Sequence, residues 1–161
     1  MALGDNTLRS AAGNSQRGRN PYMVETTLNW ATALSDKGSA LAAADVVPVI
    51  AVAKGTMILN AGIEVDTATD GSTFTVDLGT GVDADVFVDG FDATSAAAVV
   101  AQNPAAYQPV MAVADDNIDV TIATLSGGAV TSGKFRIWAV LMDCTEMGDT
   151  AANEVARDAL A

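Results

Sequence analysis

Residues 134–142 read KFRIWAVLM, and this stretch decides the fold. Every second residue from Phe135 to Leu141 is apolar, which is the period of a β-strand with one face against a core. The opposite face begins with two charged residues but continues with Trp138 and Val140. A strand that is largely apolar on both faces is expected to be covered on both, so the second face should lie under another layer or another subunit.

Other segments of the chain have the same period. Residues 57–65 alternate, with Met57 and Leu59 on the predicted core face, and residues 74–78 and 118–122 alternate in the same way. The short connection between the first two of these strands predicts a β-hairpin. Shorter strands are expected at Tyr22–Trp30, Asp45–Val52 with an edge or bulge at Pro48, Asp85–Phe91 and Gln108–Val113, and a loop at residues 35–39.

The composition agrees with a single all-β domain. The chain has 161 residues, of which 50% are hydrophobic and only 5% aromatic, so the core is expected to consist mainly of small aliphatic side chains. Aspartate outnumbers glutamate by 16 to 4, and aspartate favours turns over helices. We therefore predict an antiparallel β-sandwich over residues 22–146, an N-terminal arm at 1–21 and a C-terminal tail at 147–161, for which a short helix is one alternative.

The N-terminal arm has a different charge from the body. It carries Arg9, Arg17 and Arg19, three of the eight basic residues, whereas the body is strongly acidic. Glycine, asparagine and Pro21 prevent a regular period before the first strand. The segment is either a disordered tail or an arm that becomes ordered on an acidic neighbouring subunit. In the second case its arginines are contact residues.

The charge and the missing side chains exclude several functions. A net charge of −12 repels phosphate and anionic lipid, so neither nucleic acid nor a membrane is expected as a partner. The sequence contains no histidine, which removes Ser-His-Asp and Cys-His catalysis, and Cys144 is the only cysteine. Gly79-Thr80-Gly81 lacks the lysine of a phosphate-binding loop. We predict no enzymatic activity, no cofactor and no metal.

A partial calcium-loop pattern occurs at residues 66–77. Asp66, Asp70 and Asp77 occupy ligand positions of such a loop. Ala68 stands at the third position, however, and an aspartate replaces the bidentate glutamate at the last one. A hairpin loop without metal is the better interpretation, and the other acidic groupings of the chain are interpreted as solvated turns.

Four segments resemble those of a known family. They read KGTMILNAGIEV (54–65), TFTVDLGTG (73–81), DNIDVTI (116–122) and SGKFRIWAVLMD (132–143). In the order of these strand and turn phrases, residues 45–143 are similar to capsid decoration, or cement, proteins of tailed bacteriophages. No functional residue carries over, because the similarity contains no diagnostic motif.

The resemblance implies a β-sandwich or jelly-roll body on the outer capsid surface. Such proteins bind subunits of the major capsid protein and reinforce the shell, often as trimers or dimers, and we prefer a homotrimer here. Synthesis in the host cytoplasm is expected, since no signal peptide is recognisable. The alternatives are a carbohydrate- or receptor-binding module and a head-fibre or tail component. The residues expected to contact the capsid or another subunit are Arg9, Arg17, Arg19, Tyr22, Trp30, Arg136 and Trp138.

Overall fold

The computed structural model describes residues 20–95 and 109–144, and β-strands make up most of both ranges. The elements are, in chain order, β1 Tyr22–Asn29, α1 Trp30–Lys37, β2 Val46–Val52, β3 Thr56–Thr67, β4 Thr73–Thr80, β5 Val88–Asp92, β6 Val110–Met111, β7 Asp116–Ser126 and β8 Lys134–Asp143. The predicted tail and almost all of the predicted arm lie outside the described residues, so both stay predictions.

The strands form two antiparallel sheets of four strands each. Sheet A has the order β1-β8-β3-β6, and sheet B has the order β2-β7-β4-β5. Within the described ranges, β4 and β5 are the one pair of consecutive strands that are neighbours in a sheet. Every other step along the strands passes from one sheet to the other. Eight strands that wind alternately through two facing sheets form a jelly roll, so the predicted all-β sandwich is confirmed.

One face of each long strand is buried between the sheets. The alternation predicted for β7 and β8 is confirmed, because the apolar positions of both strands are buried and the positions between them, apart from Asp119, are half-buried or exposed. The buried apolar residues of these two strands are Ile118, Val120, Ile122, Phe135, Ile137, Ala139 and Leu141. β7 and β8 each lie inside their sheet, so they form the centre of the core.

The predicted alternation of β3 is wrong in its first half. Ile58 is buried, whereas Met57 and Leu59, which were predicted to face the core, are half-buried. The pairing with β8 skips one residue between Ile58 and Asn60, so Leu59 is the extra residue of a β-bulge. A bulge reverses the side on which every preceding residue lies. From Ala61 onward the predicted face is the buried one.

The predicted bulge at Pro48 is confirmed. β2 is an edge strand of sheet B, and its pairing with β7 shifts between Pro48 and Ile50. Proline has no backbone N–H to donate, so an edge position with a local irregularity is where a sheet tolerates it.

The predicted hairpin between β3 and β4 is wrong. β3 belongs to sheet A and β4 to sheet B, so the connecting loop crosses the end of the sandwich. The buried residue Thr69 anchors this crossing, because its backbone N–H and its hydroxyl both donate to the carbonyl of Ala93, each at 3.2 Å. Alternation alone cannot distinguish two strands that pair side by side from two that face each other across a core.

Asp70 fastens the same loop to the connection between β7 and β8. Its carboxylate accepts hydrogen bonds from the backbone N–H groups of Thr131 (2.8 Å) and Ser132 (3.0 Å), and from the Thr131 hydroxyl. The Thr131 hydroxyl, followed by the two N–H groups, lowers the pKa of Asp70 to about 2. Asp66 instead forms an ion pair with Lys134 on sheet A. The aspartates of the partial calcium loop are therefore engaged at separate places.

Helix α1 stands where a strand end and a loop were predicted. Asn29 caps its start by accepting a hydrogen bond from the Ala31 N–H (3.0 Å), and Gly38 ends it in the left-handed conformation at φ 69°. The helix turns Trp30 into the core, where it is fully buried. Within the described residues the indole Nε1–H has no hydrogen-bond partner.

Trp30 connects the two sheets. Its ring packs edge-on against Phe74 of sheet B, at 5.0 Å between ring centroids, and against Phe135 of sheet A, at 5.5 Å. Edge-to-face contacts at this spacing are favourable beyond the area that they bury. The predicted role of Trp30 as a contact to another subunit is therefore corrected to that of a core residue, since a fully buried side chain has no exposed surface to offer.

We expect Trp30→Ala to lower the free energy of unfolding by about 3–5 kcal/mol, the usual cost of deleting a large buried aromatic side chain. The measurement is urea denaturation followed by circular dichroism. Trp138→Ala is the matched control, because this half-buried residue lies outside the core and should cost only about 1 kcal/mol. Equal losses for the two variants would contradict the bridging role of Trp30.

Candidate interaction surface

The outer face of sheet A changes from charged to apolar along its strands. The register places side chains of β1, β8 and β3 next to each other in rows. Near the start of β8, one row contains Thr27, Arg136 and Glu64. The next row on the same face contains Trp138. The residues beyond Trp138 are mostly apolar. The face therefore has a charged end and an apolar end.

Ion pairs occupy the charged end. Arg136 binds Glu64 through two guanidinium nitrogens, and Lys134 lies 3.6 Å from Asp66. The hydrogen bond to Glu64, then its charge, raises the pKa of Arg136, so this side chain stays cationic at any relevant pH. A surface depression of about 240 Å³ is lined by Thr27, Glu64, Asp66 and Arg136. Exposed pairs of this kind direct association more than they stabilise the fold.

Trp138 lies flat over a glycine at the middle of the face. Gly62 is its register partner on β3, and a Cβ at Gly62 would lie 2.6 Å from the Cζ2 atom of the indole. Only glycine lets the ring approach the backbone this closely. The indole is half-buried against its own sheet, and its outer surface faces away from the core. Trp138 thus presents apolar surface on the outer face of sheet A, and its contact with another layer or subunit stays a prediction.

The apolar end forms what we call the methionine patch, composed of Met23, Met57, Met111, Val140 and Met142. Met23 pairs with Val140, and Met57 pairs with both Met142 and Met111, so these residues share one face of sheet A. Met23 is 61% exposed and Met111 is 41% exposed. The sequence-based prediction missed this patch because it placed Met57 in the core.

The outer face of sheet B has the opposite character. Its four strands contain no lysine or arginine. They do contain aspartates, namely Asp77, Asp89, Asp92, Asp116 and Asp119. The two outer faces therefore differ in charge, since the strands of sheet A contain cations beside carboxylates and those of sheet B contain only carboxylates.

Asp119 is the unusual member of the acidic face. It lies in register between Pro48 and Gly79 and is only 9% exposed. The loop at residues 81–86 folds over this point, where the backbone of Asp83 leaves no space for a side chain at Gly79. Burial, and secondly the charge of Asp116, raises the pKa of Asp119 to about 6.

The remaining predicted contact residues fall in different places. Tyr22 begins β1, where its register partner is the buried Leu141, and its half-buried ring packs against the core at the end of the sandwich. Arg136 and Trp138 share the outer face of sheet A. Arg9, Arg17 and Arg19 lie outside the described residues, so their role stays a prediction.

The described residues contain no cluster typical of metal binding. Across residues 20–95 and 109–144, no three side chains of the metal-binding types come together. Cys144, the lone thiol, is half-buried. No helix in these ranges has both the length and the apolar character needed to cross a bilayer.

Chains of three phage capsids have a similar structure. A chain of the cyanophage Pam1 capsid asymmetric unit superposes with a TM-score of 0.58 at 14% identity, over 78% of this chain and 86% of that one. A chain of the capsid of Ralstonia phage GP4 gives 0.52 at 16% identity, over 79% and 85%. A chain of the acidic stable capsid of Helicobacter pylori bacteriophage KHP30 gives 0.51 at 12% identity, over 76% and 86%. Phage capsids contain this fold.

These similarities concern the fold of the whole domain. Neither a protein-family model nor a curated protein matches the sequence. At 12–16% identity the likeness establishes the shared fold and nothing about individual residues. Each superposition covers at least 85% of the other chain, so those chains consist mainly of this domain and are similar to this one in length.

We expect Asp119→Asn to stabilise the protein at neutral and alkaline pH. A pKa of about 6 in the folded state, against an ordinary value of 3.8, corresponds to a cost of at most about 3 kcal/mol for the charged form. The folded protein binds this proton more tightly than the unfolded chain. The cost is therefore absent below about pH 4, grows between about pH 4 and pH 6, and is constant at higher pH. Denaturation at pH 4 to 8 measures the difference.

Asp92→Asn is the matched control on the same face. The Thr94 hydroxyl and then the Thr94 backbone N–H lower the pKa of Asp92. The Asp92 carboxylate therefore stabilises the folded protein at neutral pH, and this stabilisation is lost in acid. The control variant should therefore be destabilised at pH 8 and close to the native protein in acid. An Asp119→Asn variant with the same stability as the native protein at every pH would contradict the burial argument.

Proposed function

We propose that this protein is a structural component of a tailed-phage virion. It binds the outer surface of major capsid protein subunits and stabilises the capsid against the pressure of packaged DNA. It is made in the host cytoplasm and has no enzymatic activity. The observation that carries the proposal is the likeness of the whole domain to chains of three phage capsids.

The two outer faces support a defined orientation on the shell. Sheet A offers Arg136 and the half-buried indole of Trp138, whereas the strands of sheet B carry only acidic charges. Docking through sheet A would leave the acidic face in water, so its carboxylates would keep their hydration and no free energy would be lost in burying them. Repeated acidic faces around a shell also disfavour aggregation between particles.

The N-terminal arm is the second part of the proposed contact. It leaves the body at Asn20, directly before the edge strand β1 of sheet A. Arg9, Arg17 and Arg19 would pair with carboxylates of a neighbouring subunit, as charge complementarity predicts for a basic segment. Tyr22, at the base of the arm, would fix the direction in which it leaves.

Self-association into a closed homotrimer is also proposed, with a dimer as the alternative. In the described part of the chain, β1 is paired on one side only, by β8. An eight-residue edge strand with a single charged residue, Glu25, is open to pairing with another chain. Light scattering should give three times the monomer mass at micromolar concentration, and a monomer throughout would contradict this part.

The decisive experiment mixes the purified protein with phage heads that lack it. We expect saturable binding at a fixed ratio to the major capsid protein, and increased resistance of the heads to heat. Electron microscopy of the saturated heads should show added density on the outer surface. No binding at any salt concentration would contradict the proposed function, and density inside the shell or at the tail would favour a different virion component.

The arm is tested by replacing Arg9, Arg17 and Arg19 together with glutamine. We expect affinity for the heads to fall by about tenfold and to depend less on salt, because three charge pairs are lost. Replacing the adjacent Asn14, Ser15 and Gln16 with alanine is the matched control and should leave affinity unchanged. Equal affinities for both triple variants would show that the arm does not contribute through its charge.

A further inference from the structure

The loop at residues 81–86, which we call the lid, covers a carboxyl group on the outer face of sheet B. Asp119 lies on the inner strand β7, in register between Pro48 and Gly79, and is only 9% exposed. We propose that the lid is a pH-sensitive device, which is closed over Asp119 while this carboxyl group is protonated and opens when it ionises. The inference does not depend on the proposed function.

The lid packs directly onto the sheet beside Asp119. The backbone of Asp83 and Ala84 occupies the space in which a side chain at Gly79 would lie. Gly79 is the register partner of Asp119, so the two residues lie side by side on the same face. The lid therefore restricts the access of water to the Asp119 carboxyl group.

The lid is attached to the body at its two ends. At the first end the hydroxyl of Thr80 accepts hydrogen bonds from the backbone N–H groups of Val82 and Asp83, both at 3.3 Å, and the Thr80 N–H donates to the Asp83 carbonyl at 2.7 Å. At the other end Phe87 is fully buried, and its N–H donates to β4 at 3.0 Å. The first five residues of the lid are exposed. The lid can therefore rise from the sheet while Phe87 stays in the core.

The lid is the cover of Asp119 that moves most easily. The other neighbours of this residue belong to β2 and β4, whose backbones pair with β7 along both of its sides. Separating these strands would break backbone hydrogen bonds of the sheet, whereas raising the lid breaks the bonds at Thr80. Segments with an exposed backbone and few hydrogen bonds open at the lowest free energy in a folded protein. Water therefore reaches Asp119 by displacing the lid.

The elements packed around Asp119 carry further carboxyl groups. Asp77 lies on the same face of β4, Asp116 precedes Asp119 on β7, and the lid contains Asp83 and Asp85. β2 contains no charged residue, and the four strands of sheet B contain no lysine or arginine. An ionised Asp119 under the closed lid therefore lies among other carboxylates.

Two lysines lie close to the ends of β2. Lys37 forms an ion pair with Asp45, directly before the strand. Lys54 lies two residues after the strand, and its backbone N–H donates to the carboxylate of Asp115 at 2.9 Å. Neither lysine is part of β2, so neither occupies the row of the sheet that contains Asp119.

The closed lid favours protonation at two positions. Burial, and secondly the charge of Asp116, raises the pKa of Asp119 to about 6. A hydrogen bond to Asp83, followed by burial and the charge of Asp83, raises the pKa of Asp85 within the lid. A hydrogen bond between two carboxyl groups contains a proton, so this bond is lost when both groups ionise. Both positions therefore stabilise the closed lid in acid.

The lid should open as the pH rises. With the lid open, Asp119 is hydrated and titrates near its ordinary pKa of 3.8, whereas with the lid closed its pKa is about 6. The closed lid binds the proton more tightly, so its stability is complete below about pH 4 and decreases between about pH 4 and pH 6. Over this interval the ratio of open to closed lids rises by at most about 150-fold, which is the ratio of the two acid dissociation constants.

Amide hydrogen exchange, resolved by NMR in the full-length protein, measures the opening of the lid. The Thr80 amide is the probe, because its bond to the Asp83 carbonyl breaks when the lid opens. After correction for the intrinsic pH dependence of exchange, its opening equilibrium should rise by about tenfold between about pH 5 and pH 7, and that of the Phe87 amide should change much less. A pH-independent opening equilibrium at Thr80 would overturn the proposal. An equal increase at Phe87 would also overturn it, because the whole domain would then respond.

Asp119→Asn should abolish this pH dependence and keep the lid closed, because an amide stays neutral. Asp92→Asn is the matched control, since it removes a carboxylate of the same sheet that binds Thr94, and it should retain the native change. Asp116→Asn should move the change to lower pH, because it removes one of the two causes of the raised pKa of Asp119. An Asp119→Asn variant with the native pH dependence would contradict the role of this carboxyl group.

The carboxyl carbon of Asp119, observed by NMR in the native protein, provides a measurement that needs no variant. Its chemical shift should titrate well above pH 4, in the same pH range as the opening of the lid. Titration near pH 4 would overturn the proposal, because the carboxyl group would then be fully hydrated beneath a closed lid.

Discussion

Trp30 packs edge-on against a phenylalanine of each sheet, and the two sheets depend on this contact at one end of the core. The indole reaches that position because helix α1 begins at Trp30 directly after the edge strand β1. Asn29 and Gly38 limit the helix to eight residues, after which the chain enters sheet B. Local capping therefore determines where the largest side chain of the core is placed, and with it the first crossing between the sheets.

The packing of the two sheets against each other restricts which surfaces can carry features particular to this protein. Each strand must be apolar on its inner face, so specific features of the protein are restricted to the outer faces and the loops. The outer face of sheet A carries ion pairs, an indole resting on Gly62 and the methionine patch. Sheet B presents carboxylates, one of them buried under a loop with a pKa of about 6. The two outer faces therefore differ in both charge and exposed apolar surface.

The candidate surface was partly predictable. The alternation of β8 placed Arg136 and Trp138 on the face opposite the core, and the register confirms that position. Alternation could not place Trp30, because the strand period ends at Asn29, which caps a helix of eight residues that begins at Trp30. The methionine patch could not be found either. Its members come from four strands, and only the pairing of those strands brings them together.

By itself, the sequence determined that the chain is all-β, which strands have an apolar face, and that histidine-based catalysis is absent. These properties follow from the period of two residues and from composition, both of which are local. The tertiary structure alone decided which strands pair, that β3 and β4 face each other rather than form a hairpin, and that the bulge at Leu59 turns Met57 outward. The physical reason is that side-by-side pairing and face-to-face packing bury the same alternating residues, so local sequence cannot choose between them.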